Sequence, residues 1–138
     1  MKYAYLILKA DQRGKPELIE SEDQTFTLKE LQKAISCDCI EIVRVRNPID
    51  GSVLCMVIDE SGKLKNKRIN LRASLLYGSV YDYIAGDALI CQEEMTVEGP
   101  DLVKMDKLDA LELNHVFNDL KFSTGRSCRL IKKSSGSS

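Results

Sequence analysis

Residues 69–90 read I-N-L-R-A-S-L-L-Y-G-S-V-Y-D-Y-I-A-G-D-A-L-I. Asn70 stands where a helix N-cap belongs, ahead of Leu71, Leu75 and Leu76 at helical spacing. Gly78 is suited to end that short helix, and Ile84 to Cys91 reads as a buried strand entered through Gly86-Asp87. Gly86 permits a bend or a positive φ there. One helix delivered by a turn into one strand implies a mixed architecture, and the rest of the chain is arranged around it.

On the N-terminal side, Lys63-Leu64-Lys65-Asn66-Lys67-Arg68 is a basic connector, preceded by a turn at Asp59-Glu60-Ser61-Gly62. Val53 to Ile58 is nearly all apolar, as in a buried strand. Asp50-Gly51 links it as a hairpin to Cys39–Val45. Both alternating sets of that strand contain apolar residues, which predicts a central strand with Glu41 as the anomaly. Earlier, Thr27 with Glu30 forms a capping box ahead of apolar residues at 28, 31 and 35, a helical face. Tyr3–Leu8 and Glu17–Glu20 read as two strands of a hairpin around a turn at residues 11–16.

On the C-terminal side the pattern changes after Gly99-Pro100. Met105 to Leu120 carries apolar side chains at 105, 108, 111, 113, 116, 117 and 120, a broad helical stripe with Lys121 at its end. The expected fold class is α+β: a small antiparallel or mixed sheet of five to six short strands, two short helices and a longer C-terminal helix. The expected organisation is a core over 1–98, a helical extension over 99–131 packed on the core or on a partner, and a flexible tail over 132–138.

Composition narrows the function classes. The chain has 138 residues and a net charge of -1 from 20 basic and 21 acidic side chains. That balance argues against a dedicated nucleic-acid binder, which usually shows a basic excess. No apolar run approaches the ~18 residues of a membrane span, and the start has no export signal. The expected location is the cytoplasm. Five cysteines without an export signal fit reduced thiols, and Cys37-Asp38-Cys39 has no second ligand pair, so no metal site is expected. The single histidine, His115, lies among Leu113, Val116 and Phe117 with no nucleophile partner in the sequence. Phosphate-loop and dinucleotide glycine patterns are absent. No catalytic residue and no cofactor is assigned.

The succession L-K-E-L-Q-K-A-I, C-I-E-I-V-R-V, V-I-D-E-S-G-K-L-K, I-N-L-R-A-S-L-L-Y-G and I-A-G-D-A-L-I-C resembles an uncharacterised family catalogued as domain of unknown function 3846, from about Tyr3 to Cys91. Glu41, Glu60, Gly62, Asn70, Arg72, Ala73, Gly86 and Asp87 match its pattern. Cys37-Asp38-Cys39 and Ser74 depart from it. The family occurs in bacteria, phages and other mobile elements and has no established activity, so the resemblance implies an origin and no mechanism.

One local feature points to binding. Arg72 lies in the first turn of the helix begun by Asn70, where a cation is disfavoured by about 0.3–1 kcal/mol. With Lys65, Lys67 and Arg68 nearby, this is a recipe for holding a phosphate or a partner's carboxylate. Asp87 completes the candidate set; an internal pair of Arg72 with Glu41 or Asp87 is the structural alternative. Tyr77, Tyr81 and Tyr83 are potential stacking platforms beside the connector. The expected function is a small non-enzymatic interaction protein of a phage or mobile element that binds and inhibits a host protein or complex, such as a defence nuclease. The alternatives are a small-nucleotide sponge or sensor, and an RNA- or DNA-binding accessory protein. A homodimer through the C-terminal helix stays open.

Overall fold

A computed structural model describes residues 1–11, 15–122 and 130–132. Alternation of apolar side chains decides the architecture. In β1 (Tyr3–Leu8), β4 (Val53–Asp59) and the first four residues of β5 (Ala88–Thr96), both alternating sets are buried. Such strands must be covered on two faces. Ala4, Leu6, Leu8, Leu54, Met56, Ile58, Ala88 and Ile90 join one cluster, and Tyr5, Ile7, Cys55, Val57, Leu89 and Cys91 join the other. Each fully buried Leu or Ile contributes roughly 1.5–3 kcal/mol relative to exposure.

Helix α1 (Leu28–Ala34) covers the second face through Leu31, with Ile35 at its C-cap. Helices α2 (Leu71–Tyr77) and α3 (Lys107–Asn118) cover the first. The path across the sheet is β2 (Glu17–Ser21), β1, β5, β4, β3 (Ile40–Arg46), with every neighbour antiparallel. Two further strands, β6 (Gly99–Val103) and β7 (Met105–Asp106), pair with β5 and β1 and bring the sheet to seven strands. The fold is α+β, with more strands than the five or six expected. A separate two-stranded sheet pairs β8 (Leu120–Phe122) with β9 (Leu130–Lys132).

Several expectations are corrected. β3 is an edge strand, and Glu41 is exposed on it, so the residue that looked anomalous is simply solvated. The last strand of the organising segment begins at Ala88; residues 84–87 form a loop tied back by the Ile69–Ala85 bridge. The boundary expected between 98 and 99 falls within the β5–β6 turn, and strands on both sides belong to one sheet. The C-terminal helix starts two residues late because Met105 and Asp106 pair with Ala4 and Tyr3. It buries Ala110, Leu113 and Phe117 on its own sheet, while Leu108 and Leu111 face outward. The tail beyond residue 132, Cys128 and the middle of the first turn lie outside the described residues.

The capping box is half formed. Thr27 Oγ1 accepts from the Glu30 amide at 3.1 Å, but the Glu30 carboxylate turns to Lys104. Lys104 is buried between β6 and β7, and its ammonium reaches Glu30 Oε2 at 3.0 Å, Thr25 O at 2.9 Å and Ser21 Oγ at 3.1 Å. It also lies 4.9 Å from the centre of the Phe26 ring. Buried charge is tolerated where every proton finds an acceptor, and here it pins the β2–α1 loop to the sheet.

Candidate functional site

The basic connector folds around one carboxylate. Asp59 ends β4 with its side chain fully shielded, and its Oδ2 takes Lys67 Nζ at 2.6 Å and Lys65 Nζ at 3.2 Å. Its Oδ1 accepts from the Ser61 amide at 2.9 Å. Burial pushes the Asp59 carboxyl up, but the hydrogen bonds from Lys67, Ser61 and Lys65 outweigh it and hold it below the ordinary carboxylate value. Lys67 donates further to the Ser36 carbonyl at 2.8 Å. Two of the predicted anion-binding cations are thus directed inward, while Arg68 is solvent-exposed, 3.9 Å from Asp11.

Asn70 caps α2 as expected: Oδ1 accepts from the Ala73 amide at 3.0 Å. It does more than cap. Its Nδ2 donates to Leu8 O at 2.8 Å and Gly86 O at 2.9 Å, while its backbone amide donates to Ile84 O at 2.8 Å. Asp87 accepts from the Ala10 amide at 2.8 Å and pairs with Lys9 at 3.2 Å, fastening the end of β1. Arg72 is half-buried, and burial pushes its guanidinium below the usual arginine value. Neither of these carboxylates, Asp59 nor Asp87, was assigned its structural partner in the sequence. The six predicted residues therefore do not converge on one cavity; four of them join the connector, α2 and the ends of β1 and β4 into a frame.

Beside that frame, Glu41, Asp59, Glu60, Lys63, Tyr77 and Tyr83 line a polar cleft of about 90 Å³. Lys63 pairs with Asp82 and sits 4.8 Å from the centre of the Tyr83 ring, so the chain's own ammonium occupies the cation-holding position. Nucleotide-sized ligands need roughly 300 Å³ or more. A shallower concavity of about 430 Å³ lies between Arg46 and Val53 on the β3–β4 hairpin and Leu76 and Tyr77 of α2. Tyr81 is fully exposed in the adjoining loop. His115 lies on the outer side of α3, 3.2 Å from Asp119.

The β5–β6 hairpin is an exposed, organised surface that the sequence reading missed. β5 pairs with β1 and β4 through residues 88–91, and beyond Cys91, among the described residues, it pairs with β6 alone. At its base, Arg44 grips Glu93 through Nη2 at 2.6 Å and Nε at 3.3 Å, and Leu102 packs on the core beside α1. The outer part is solvated on both faces: Met95 is 76% exposed and Val97, at the tip, entirely so. Glu94 stands directly opposite Asp101. Among the described residues, Glu94, Glu98 and Asp101 form no ion pair. Alternation over 94–98 (Glu, Met, Thr, Val, Glu) ahead of Gly99-Pro100 was the available signal.

Comparison with known proteins adds one match. A family model described as "Domain of unknown function (DUF3846)" matches residues 1–111, and so runs past Cys91 through the hairpin into α3. No curated protein and no solved structure matches the chain. Among the described residues no helix is long and apolar enough to cross a membrane, and no group of three or more His, Cys, Asp or Glu side chains is placed to hold a metal ion.

Proposed function

This chain belongs to the DUF3846 family, and from that premise we propose that it is a non-enzymatic interaction protein, carried by a phage or mobile element, that binds and inhibits a host macromolecule such as a defence nuclease. The β5–β6 hairpin carries this reading: a two-stranded arm anchored at Glu93 and Leu102, with an apolar tip and unpaired carboxylates beyond the anchor. Exposed apolar side chains on a rigid support are what a binding surface requires. The nucleotide-sponge alternative is disfavoured because Lys65 and Lys67 are taken up by Asp59 and Asn70 by its own frame.

The test is recovery of a host protein on the immobilised chain, followed by assay of that protein's activity against added chain. A stoichiometric partner whose activity falls with occupancy supports the reading. No retained protein, together with a thermal shift on nucleotides or a salt-steep shift on oligonucleotides, sinks it in favour of the sponge or the nucleic-acid binder.

A further inference from the structure

Resting on that reading, we infer that the β5–β6 hairpin is the docking arm and that its occupant is a cationic groove on a protein partner with an apolar socket beside it. The register separates two chemistries along the arm. Directly opposed residues in an antiparallel pair share a face. One face therefore carries Met95 opposite Pro100, continuing outward from the Glu93–Leu102 pair. The other carries Glu94 opposite Asp101, two carboxylates on adjacent strands. From Gln92 to Val103 there are four acids and no lysine or arginine, and Arg44 answers only Glu93.

The opposed carboxylates do not serve the hairpin. Like charges directly opposed weaken a ladder. At the tip Val97-Glu98 fills a two-residue turn between Thr96 and Gly99, and Gly99, at φ +114, takes the positive φ so that Val97 needs none. Thr96 Oγ1 holds the turn by accepting from the Glu98 amide at 3.2 Å and donating to Gly99 O at 2.7 Å. The tip is thus built to present a valine at full exposure beside uncompensated carboxylates. A row of lysines or arginines satisfies Glu94, Asp101 and Glu98 together, and a dry socket accepts Val97 and Met95. A polyanion such as RNA meets repulsion here.

The probe is a synthetic peptide of alternating arginine and leucine, titrated into the ¹⁵N-labelled full chain. Expected are amide shifts concentrated at residues 93–101, binding that weakens with salt, and loss of binding in E94K/E98K/D101K. Val97→Ser, which leaves charge unchanged, is expected to weaken binding about tenfold if the tip is an anchor. Unchanged melting temperatures for both variants establish that they fold. Shifts centred on the Glu41–Asp82 cleft, equal affinity of the Val97→Ser chain, or binding of an RNA oligonucleotide at the hairpin overturns the inference. Host-protein capture that survives E94K/E98K/D101K sinks the arm and leaves the interaction reading standing. Failure of all capture with an intact peptide response does the reverse.

Discussion

The Asn70 side chain donates to the Leu8 carbonyl at 2.8 Å, linking residues 62 positions apart. The same amide nitrogen reaches Gly86 O at 2.9 Å, so one buried side chain joins the start of α2, the end of β1 and the loop into β5.

Asn70→Asp keeps the capping oxygen and removes both donors, turning an oxygen toward two buried carbonyls. Unsatisfied buried polar groups cost roughly 1–3 kcal/mol each, so a loss of about 3 kcal/mol is expected, read as a fall in the urea midpoint at unchanged m-value. A loss no greater than the ~1 kcal/mol of a cap alone contradicts the tertiary role.

Asp59 is one of the carboxylates that make stability fall in acid. Its folded carboxyl titrates below the ordinary value, so its contribution is fully present above the unfolded value of about 4. That contribution fades as pH falls through the folded value. Asp59→Asn is expected to lower the melting temperature at pH 7 and to flatten its decline below pH about 4. Parallel Tm–pH profiles for the two proteins rule this out.

Gly62 is needed for close approach rather than for its φ. A Cβ there would lie 2.4 Å from the Ala85 carbonyl oxygen, a backbone atom. Gly62→Ala is expected to cost about 3 kcal/mol. Gly99 has φ +114 with no heavy atom near the added Cβ, and Gly99→Ala should cost only about 1 kcal/mol of backbone strain. Equal unfolding midpoints for the two variants would refute the distinction.

Cysteine reactivity should follow exposure. Burial pushes the Cys55 and Cys91 thiols up, and Cys37, half-buried, is raised by the same cause. Cys39 is exposed. In brief native alkylation read by peptide mass spectrometry, Cys39 is labelled first, Cys37 more slowly, and Cys55 and Cys91 only in denaturant. Native labelling of Cys55 at the rate of Cys39 is the contrary result.

Much of the local structure was legible. Asn70 as N-cap, Gly78 as a left-handed C-cap at φ 79 and Gly86 at φ 93 were all readable, because caps and positive φ depend on residues three or four positions apart. The site was far less so. Lys65 and Lys67 looked like a solvated basic run because nothing nearby in sequence marks Asp59 as shielded from solvent. The inward faces of helices were only partly read: Leu28, Leu108 and Leu111 are exposed, and α2 leans on the sheet through Ala73 with Leu76 and Tyr77.

Residue order alone determined the element types from β1 to β5 and of α3, the caps, and the burial of β4 and of the start of β5, since alternation and side-chain chemistry act over a few residues. Only the tertiary structure decided that β1 and β4 flank β5, that β3 is left at an edge, and that β5 outruns both neighbours to become an arm. A strand's pattern reports which faces are covered and says nothing of which strand lies alongside. That neighbour is chosen when the two apolar clusters close against α1 on one side and against α2 and α3 on the other.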